Sequence, residues 1–134
     1  MTTLGQIGEG MVEEEYRKQG YRLLARNYKL TAVKQVGEID LIFQKNKEII
    51  FVEVKSRSST KFGSAFEAVD IFKQRKLIRT AKLYMQRNSK FSDYNYRIDV
   101  AAVDIDPIRS QTSNGVDNSK KVVIILKNAI EDLH

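Results

Sequence analysis

Cysteine and tryptophan are missing from the chain, proline occurs once, and the single histidine is the last residue, His134. Without thiols there can be no disulfide, thiolate zinc site or cysteine nucleophile. A lone histidine at the chain end argues against imidazole catalysis and His-rich metal sites. Any metal must then be held by oxygen, which favours magnesium, manganese or calcium over zinc or copper. Long apolar runs are missing too. The longest, "VVIIL" at 122–126, is far short of a bilayer span, and the opening "MTTLGQIGEGMVEEEY" has no basic stretch followed by an apolar one. The expectation is a soluble, cytoplasmic protein with no membrane partner.

The residues that are present give a globular composition: 134 in all, 42% hydrophobic and 30% charged, suited to one domain over residues 1–134 with a single core. The formal net charge of +6 is uneven, because residues 55–90 hold ten Lys/Arg against two Asp/Glu while the rest holds thirteen against fifteen. A localised basic segment fits a phosphate-rich partner, and it fits a merely solvated helix face equally well.

Thr3-x-x-Gln6 resembles a capping box, and Leu4, Ile7, Met11, Val12 and Tyr16 give an apolar stripe that ends near Gly20. The spacing predicts a first helix there, then a short strand at 21–28 and a polar link at 29–36. Ser64-x-x-Glu67 reads as a second capping box opening a helical region to about Asn88, with a break near Asp70 and Val69, Phe72, Leu77, Ile78, Ala81, Tyr84 and Met85 facing inward. "YRIDVAAVDI" at 96–105 and "KVVIILK" at 121–127 are strands, separated by a flexible polar loop at about 104–120. Helix, strands, helix, strands is the order of an α/β or α+β domain with a mixed central sheet flanked by helices.

"GEIDLIFQKNKEIIFVEVK", residues 37–55, reads as a β-hairpin. A turn at Asn46-Lys47 places opposite each other residues whose numbers sum to 93. One face then pairs Ile39 with Val54, Leu41 with Val52 and Phe43 with Ile50. The other pairs Ile42 with Phe51 and Gln44 with Ile49, but at the open end Asp40 with Glu53 and Glu38 with Lys55. Like charges directly opposed destabilise a sheet. Either the face is wet and the repulsion is relieved by nearby bases, or a divalent cation sits between the carboxylates. Lys55 lies two residues beyond Glu53 on the same face, so its ammonium points into the same space, where it can stabilise charge on phosphorus or orient a water. Two acids and a lysine beside a basic segment describe metal-assisted phosphodiester hydrolysis.

These residues resemble the PD-(D/E)xK nuclease superfamily, whose metal site is built from an Asp on one strand and a Glu/Asp-x-Lys on the next. More narrowly, "GEG" in the first helix, "YRLLARN", "GEIDLI", "FVEVKSR" and "FGSAFEAVDIFKQRKLIRTAKLYM", in that order, are similar to the YraN family of small bacterial proteins, grouped by fold with Holliday junction resolvase-like nucleases. The resemblance implies a restriction-endonuclease-like sheet. It also implies Mg²⁺ or Mn²⁺ held by Asp40, Glu53 and the backbone carbonyl of Val54, a catalytic Lys55, and Glu9 as a third carboxylate, although an acid also suits the first turns of a helix. Glu38 would support the site or pair with Lys55. Arg57 and Lys73 match basic positions of the family pattern and would face phosphate, with Lys61, Arg75, Lys76 and Arg79 of the same basic segment beside them. Asp99 alternates with Arg97 on a strand and suits a salt bridge.

The leading expectation is a Mg²⁺- or Mn²⁺-dependent endonuclease acting on double-stranded or branched DNA, as a monomer or a homodimer. A fold does not guarantee an activity, so the alternative is a non-catalytic nucleic-acid-binding module on the same scaffold. A weaker third reading is an interaction subunit without cleavage.

Overall fold

The computed structural model describes residues 3–31, 35–57, 69–105 and 121–131. The first helix, α1, spans Leu4–Lys18, and Thr3 caps it: its hydroxyl accepts from the Gln6 backbone N–H while the Gln6 side chain accepts from the Thr3 N–H. The capping box expected from the sequence is therefore formed. The inward stripe is narrower than expected, however. Gly8, Val12 and Tyr16 are buried, whereas Leu4 and Ile7 are exposed.

Among the described residues five strands follow in a single sheet of order β1-β2-β3-β4-β5: β1 Arg22–Thr31, β2 Gln35–Lys45, β3 Glu48–Arg57, β4 Asn95–Ile105 and β5 Lys121–Ile130. β3 and β4 are parallel and every other pair is antiparallel, which makes the sheet mixed. The expected polar link at 29–36 is mostly strand, since β1 runs to Thr31 and β2 begins at Gln35. Pairing across the sheet satisfies backbone groups that the side-chain pattern alone did not reveal. β4 likewise continues through Ile105, and residues 106–120 of the expected loop lie outside the described residues.

The second helix, α2, spans Ile71–Arg87. Asp70 is its N-cap, accepting from the Lys73 N–H at 2.9 Å, which places the expected break at a helix start. The Ser64–Glu67 box lies outside the described residues.

The two helices cover opposite faces of the sheet. Val12 and Tyr16 of α1 pack on Leu41, Phe43, Ile50, Val52, Ala101 and Val103, with the Tyr16 ring stacked on Phe43 at 4.5 Å between centroids. Leu77, Ala81 and Tyr84 of α2 pack on Ile42, Ile49, Phe51, Ile98 and Val100. Ile49 to Val52 are all fully buried, as a central strand covered on both sides requires. At Gly37 β2 passes close to α2: a Cβ there would overlap the Thr80 hydroxyl.

Beneath α1 lies a buried polar network. The Tyr16 hydroxyl donates to Asp99 Oδ2 at 2.6 Å, Arg97 Nε donates to Asp99 Oδ1 at 2.9 Å, and the Asn128 N–H donates to the same Oδ1 at 2.8 Å. β4 and β5 slip in register between Ile98 and Val100, and Asp99 fills the gap by accepting the backbone N–H of the bulged partner strand. The expected Arg97–Asp99 salt bridge is present, and it is part of this network.

Candidate functional site

The β2–β3 ladder has the register read from the sequence, pairing Leu41 with Val52, Ile42 with Phe51, Phe43 with Ile50 and Gln44 with Ile49. It stops one pair before the acids. In place of a further ladder bond, the Val54 N–H donates to Asp40 Oδ2 at 2.8 Å. Repulsion between Asp40 and Glu53 disfavours the flat pairing, and one carboxylate gains a backbone donor when the strands part.

The opening also changes which way side chains face. Strict alternation would keep Ile39 with Leu41 and Phe43, yet Ile39 packs with Ile42 beneath α2. Between Tyr28↔Ile39 and Arg26↔Leu41 in the β1–β2 register lies Asn27, at φ 49°. Asparagine is among the few side chains that tolerate this region, and such a residue twists the strand across from Asp40.

A pocket of about 230 Å³ occupies the opened end, lined by Glu9, Glu38, Asp40, Glu53, Val54, Lys55 and Lys73 together with Leu4, Gly5 and Ser56. It draws on four elements. Glu9 comes from α1, which approaches β3 at Gly8, where a Cβ would overlap the Ser56 side chain. Lys73 comes from the first turn of α2, set by the Asp70 cap.

Glu53 is the pivot of the charges. Its side chain is only 6% exposed, and Oε1 lies 2.9 Å from Lys73 Nζ and 3.6 Å from Lys55 Nζ. Lys55 is thus paired with Glu53 and not with Glu38, since Glu53 is its near neighbour on the same strand. Burial pushes the Asp40 carboxyl up to about 7, and the Glu53 charge adds to it. Burial likewise raises Glu9, again with Glu53 contributing, while a hydrogen bond from the Asn27 side chain opposes the rise. The two lysines diverge. Burial, then the neighbouring Lys73, pull Lys55 below the ordinary lysine range. Burial acts downward on Lys73 as well, but hydrogen bonds with Lys55 and Glu53 outweigh it and hold Lys73 above that range.

The structure therefore brings together Glu9, Glu38, Asp40, Glu53, Lys55 and the Val54 backbone. It adds Lys73, read from the sequence as a phosphate-facing base and found against Glu53. Among the described residues no three carboxylates are gathered tightly enough to cage an ion as they stand. Arg75, Lys76 and Arg79 lie exposed along α2. Arg57 ends β3 opposite Asp104, and Lys61 lies outside the described residues. Asp99 sits in the network beneath α1, away from the pocket. Sequence reasoning missed Asn27; its only signal was an asparagine interrupting an otherwise strand-like run.

A five-stranded mixed sheet between two helices, with acids and a lysine gathered where its central hairpin opens, is compatible with a restriction-endonuclease-like fold. The chain belongs to the YraN family, described as "Uncharacterised protein family UPF0102", whose profile matches residues 8–103. It is similar to the UPF0102 proteins of Caldanaerobacter subterraneus subsp. tengcongensis (40% identical over 105 residues, 78% of this chain and 82% of that protein) and Vibrio parahaemolyticus (39% over 117 residues, 84% and 93%). A UPF0102 protein of Fusobacterium nucleatum is 48% identical over 82 residues, 61% of this chain and 65% of that one. The family description names no activity. No helix among the described residues is long and apolar enough to cross a membrane.

Proposed function

We propose that the chain is a metal-dependent endonuclease that hydrolyses DNA phosphodiester bonds, with branched or structured DNA as its substrate class. The observation that carries this reading is the convergence of Asp40 and Glu53 with Lys55 in one pocket, beside a helix that bears six basic residues and no acid. Carboxylates withdrawn from water and set against each other are a costly feature for a surface that merely touches phosphate. The donor set, all carboxylate and carbonyl oxygen, fits a hard cation: Asp40, Glu53 and the Val54 carbonyl would hold Mg²⁺ or Mn²⁺, with Glu9 beside them. When bound, the cation supplies Lewis-acid polarisation of a phosphoryl oxygen and a more acidic water.

The chain's own groups do the rest. Lys55, drawn toward its neutral amine, is suited to accept a proton from an attacking water or to orient it. Lys73 keeps its proton and balances charge that builds on phosphorus. Glu38 and Glu9 complete the acidic lining.

One observation favours the non-catalytic binding module instead. Lys73 already supplies Glu53 with a positive charge at 2.9 Å, so the pocket is electrostatically relieved without a cation. The deciding experiment incubates the protein with linear, nicked, flapped and four-way DNA in Mg²⁺ or Mn²⁺ beside Asp40→Ala and Lys55→Ala. The expected result is metal-dependent cleavage that falls by at least about 100-fold in each variant. Cleavage that survives both substitutions would sink the proposed site, and binding without cleavage would favour the module.

A further inference from the structure

α2 begins with two large apolar side chains that the sequence pattern does not explain. Ile71 is 53% exposed and Phe72 70% exposed, although Phe72 falls at a position expected to face the core. Scattered exposed apolar residues are ordinary, but a phenylalanine this open that also lines a cleft is not neutral surface. Phe72 lines a cleft of about 600 Å³ between the start of α2 and the Gly37–Glu38 segment of β2, a volume within the usual range for small-ligand sites. Lys73 and Lys76 line the same cleft, and Glu38 and Lys73 also line the carboxylate pocket, so the two cavities adjoin.

We infer that this cleft takes an unpaired deoxynucleotide next to the phosphate held at the carboxylate pocket, with its base stacked on Phe72 and its phosphate against Lys76. The inference rests on the nuclease-site reading for its orientation and goes beyond it by naming what the enzyme selects. Charge complementarity points to nucleic acid as the occupant: Lys73 and Lys76 line the cleft, and α2 as a whole carries Lys73, Arg75, Lys76, Arg79, Lys82 and Arg87 and no acid. Of the two acids at the cleft, Asp70 is engaged in capping the helix and Glu38 is set opposite Lys29 in the β1–β2 register. A base inside an intact duplex has no free face, so an aromatic platform serves only a nucleotide already out of the stack. Phe72 would therefore confer preference for flaps, gaps or junction centres over unbroken duplex. Lys73, its immediate neighbour, carries the stacked end of the strand toward Glu53.

The test uses the full chain in EDTA, so that binding is read without cleavage. Two labelled duplexes are compared, one fully paired and one with 2-aminopurine at an unpaired position. The wild type is expected to bind the second more tightly and to quench its 2-aminopurine. Phe72→Ala should lose the quenching and weaken binding of that duplex by roughly 5- to 100-fold, leave fully paired DNA unaffected, and keep the wild-type melting temperature; Phe72→Trp should restore both signals. Unchanged quenching and affinity in Phe72→Ala would overturn the inference. So would a change in the free protein's sedimentation with quenching intact, which would mark Ile71 and Phe72 as a contact between copies. The cleavage assay reports separately: stacking without metal-dependent cleavage removes the nuclease reading alone, and cleavage indifferent to Phe72 removes this one alone.

Discussion

Asp40 binds its proton more tightly in the folded protein than in the unfolded chain, because burial and then the Glu53 charge lift its pKa from 3.8 to about 7. Between those values the native state holds a proton that the unfolded state has released, so stability falls as pH rises from about 4 to about 7. The contribution is complete below about 4 and gone above about 7. Its ceiling is about 4 kcal/mol, at 1.36 kcal/mol per unit, and the coupling shared with Glu53 lowers it. Asp40→Asn keeps an oxygen for the Val54 N–H and removes the charge. In metal-free buffer at pH 8 it should melt at a higher temperature than the wild type, and its stability should vary less from pH 4 to 7. Thermal denaturation across that range checks both, and a wild-type slope in the variant would place the titration elsewhere. The residue types at this spot were legible in the sequence: the hairpin register placed Asp40, Glu53 and Lys55 at one end of one face. Their partners were not. Lys73 is 20 residues beyond Glu53, and nothing local assigns its ammonium to that carboxylate.

At the scale of elements, two close approaches hold the pocket's walls. α1 reaches β3 at Gly8 and α2 reaches β2 at Gly37, and in both places a Cβ would meet a side-chain hydroxyl. Gly37→Ala should destabilise by about 1–3 kcal/mol through overpacking against Thr80. In the double variant with Thr80→Ala, the nearest remaining contacts are Thr80 Cβ at 3.5 Å and the Lys76 carbonyl at 3.7 Å, which is ordinary packing. The double variant should therefore recover most of the loss, because the Thr80 hydroxyl only adds a bond back to the Lys76 carbonyl within the helix, a contact of little weight. Denaturant titration of the cycle tests this, and additive losses would show that the clash does not set the cost. The start of α1 was legible from local chemistry, since the Thr3–Gln6 box acts within one turn, whereas near Asp70 the sequence showed only a break, which the structure resolves as the N-cap of α2. Phe72 was misread because helical periodicity identifies a stripe but not how far along the helix the packing extends, and Ile71 and Phe72 at its start are exposed. Ile39 was misread because alternation assumes an unbroken ladder, and the ladder opens at Asp40.

At the scale of the molecule, the +6 charge is less telling than its placement on α2, on the side of the sheet next to the pocket. Arg75 and Arg79 are one turn apart and exposed. If they contact DNA phosphates, replacing both with serine should weaken binding of all duplexes about equally and reduce the slope of log affinity against log salt by roughly 2. Fluorescence anisotropy over a salt series measures that slope. An unchanged slope would return α2 to the status of a solvated face. β3, buried on both faces, fixes the floor on which this charge and the acids meet.

The sequence by itself determined what is set by neighbours along the chain: the hairpin register from Leu41 to Gln44, the Thr3–Gln6 cap and the basic segment. It also carried the family's blocks, which fixed the fold class. Tertiary structure alone decided the strand order, the parting of β2 and β3 beyond Leu41, the Lys73–Glu53 pair, the Asn27 support of Glu9 and the exposure of Phe72. The division has one physical cause. Capping and alternation act over a few residues, whereas burial, charge pairing and desolvation depend on which distant elements come to share a space.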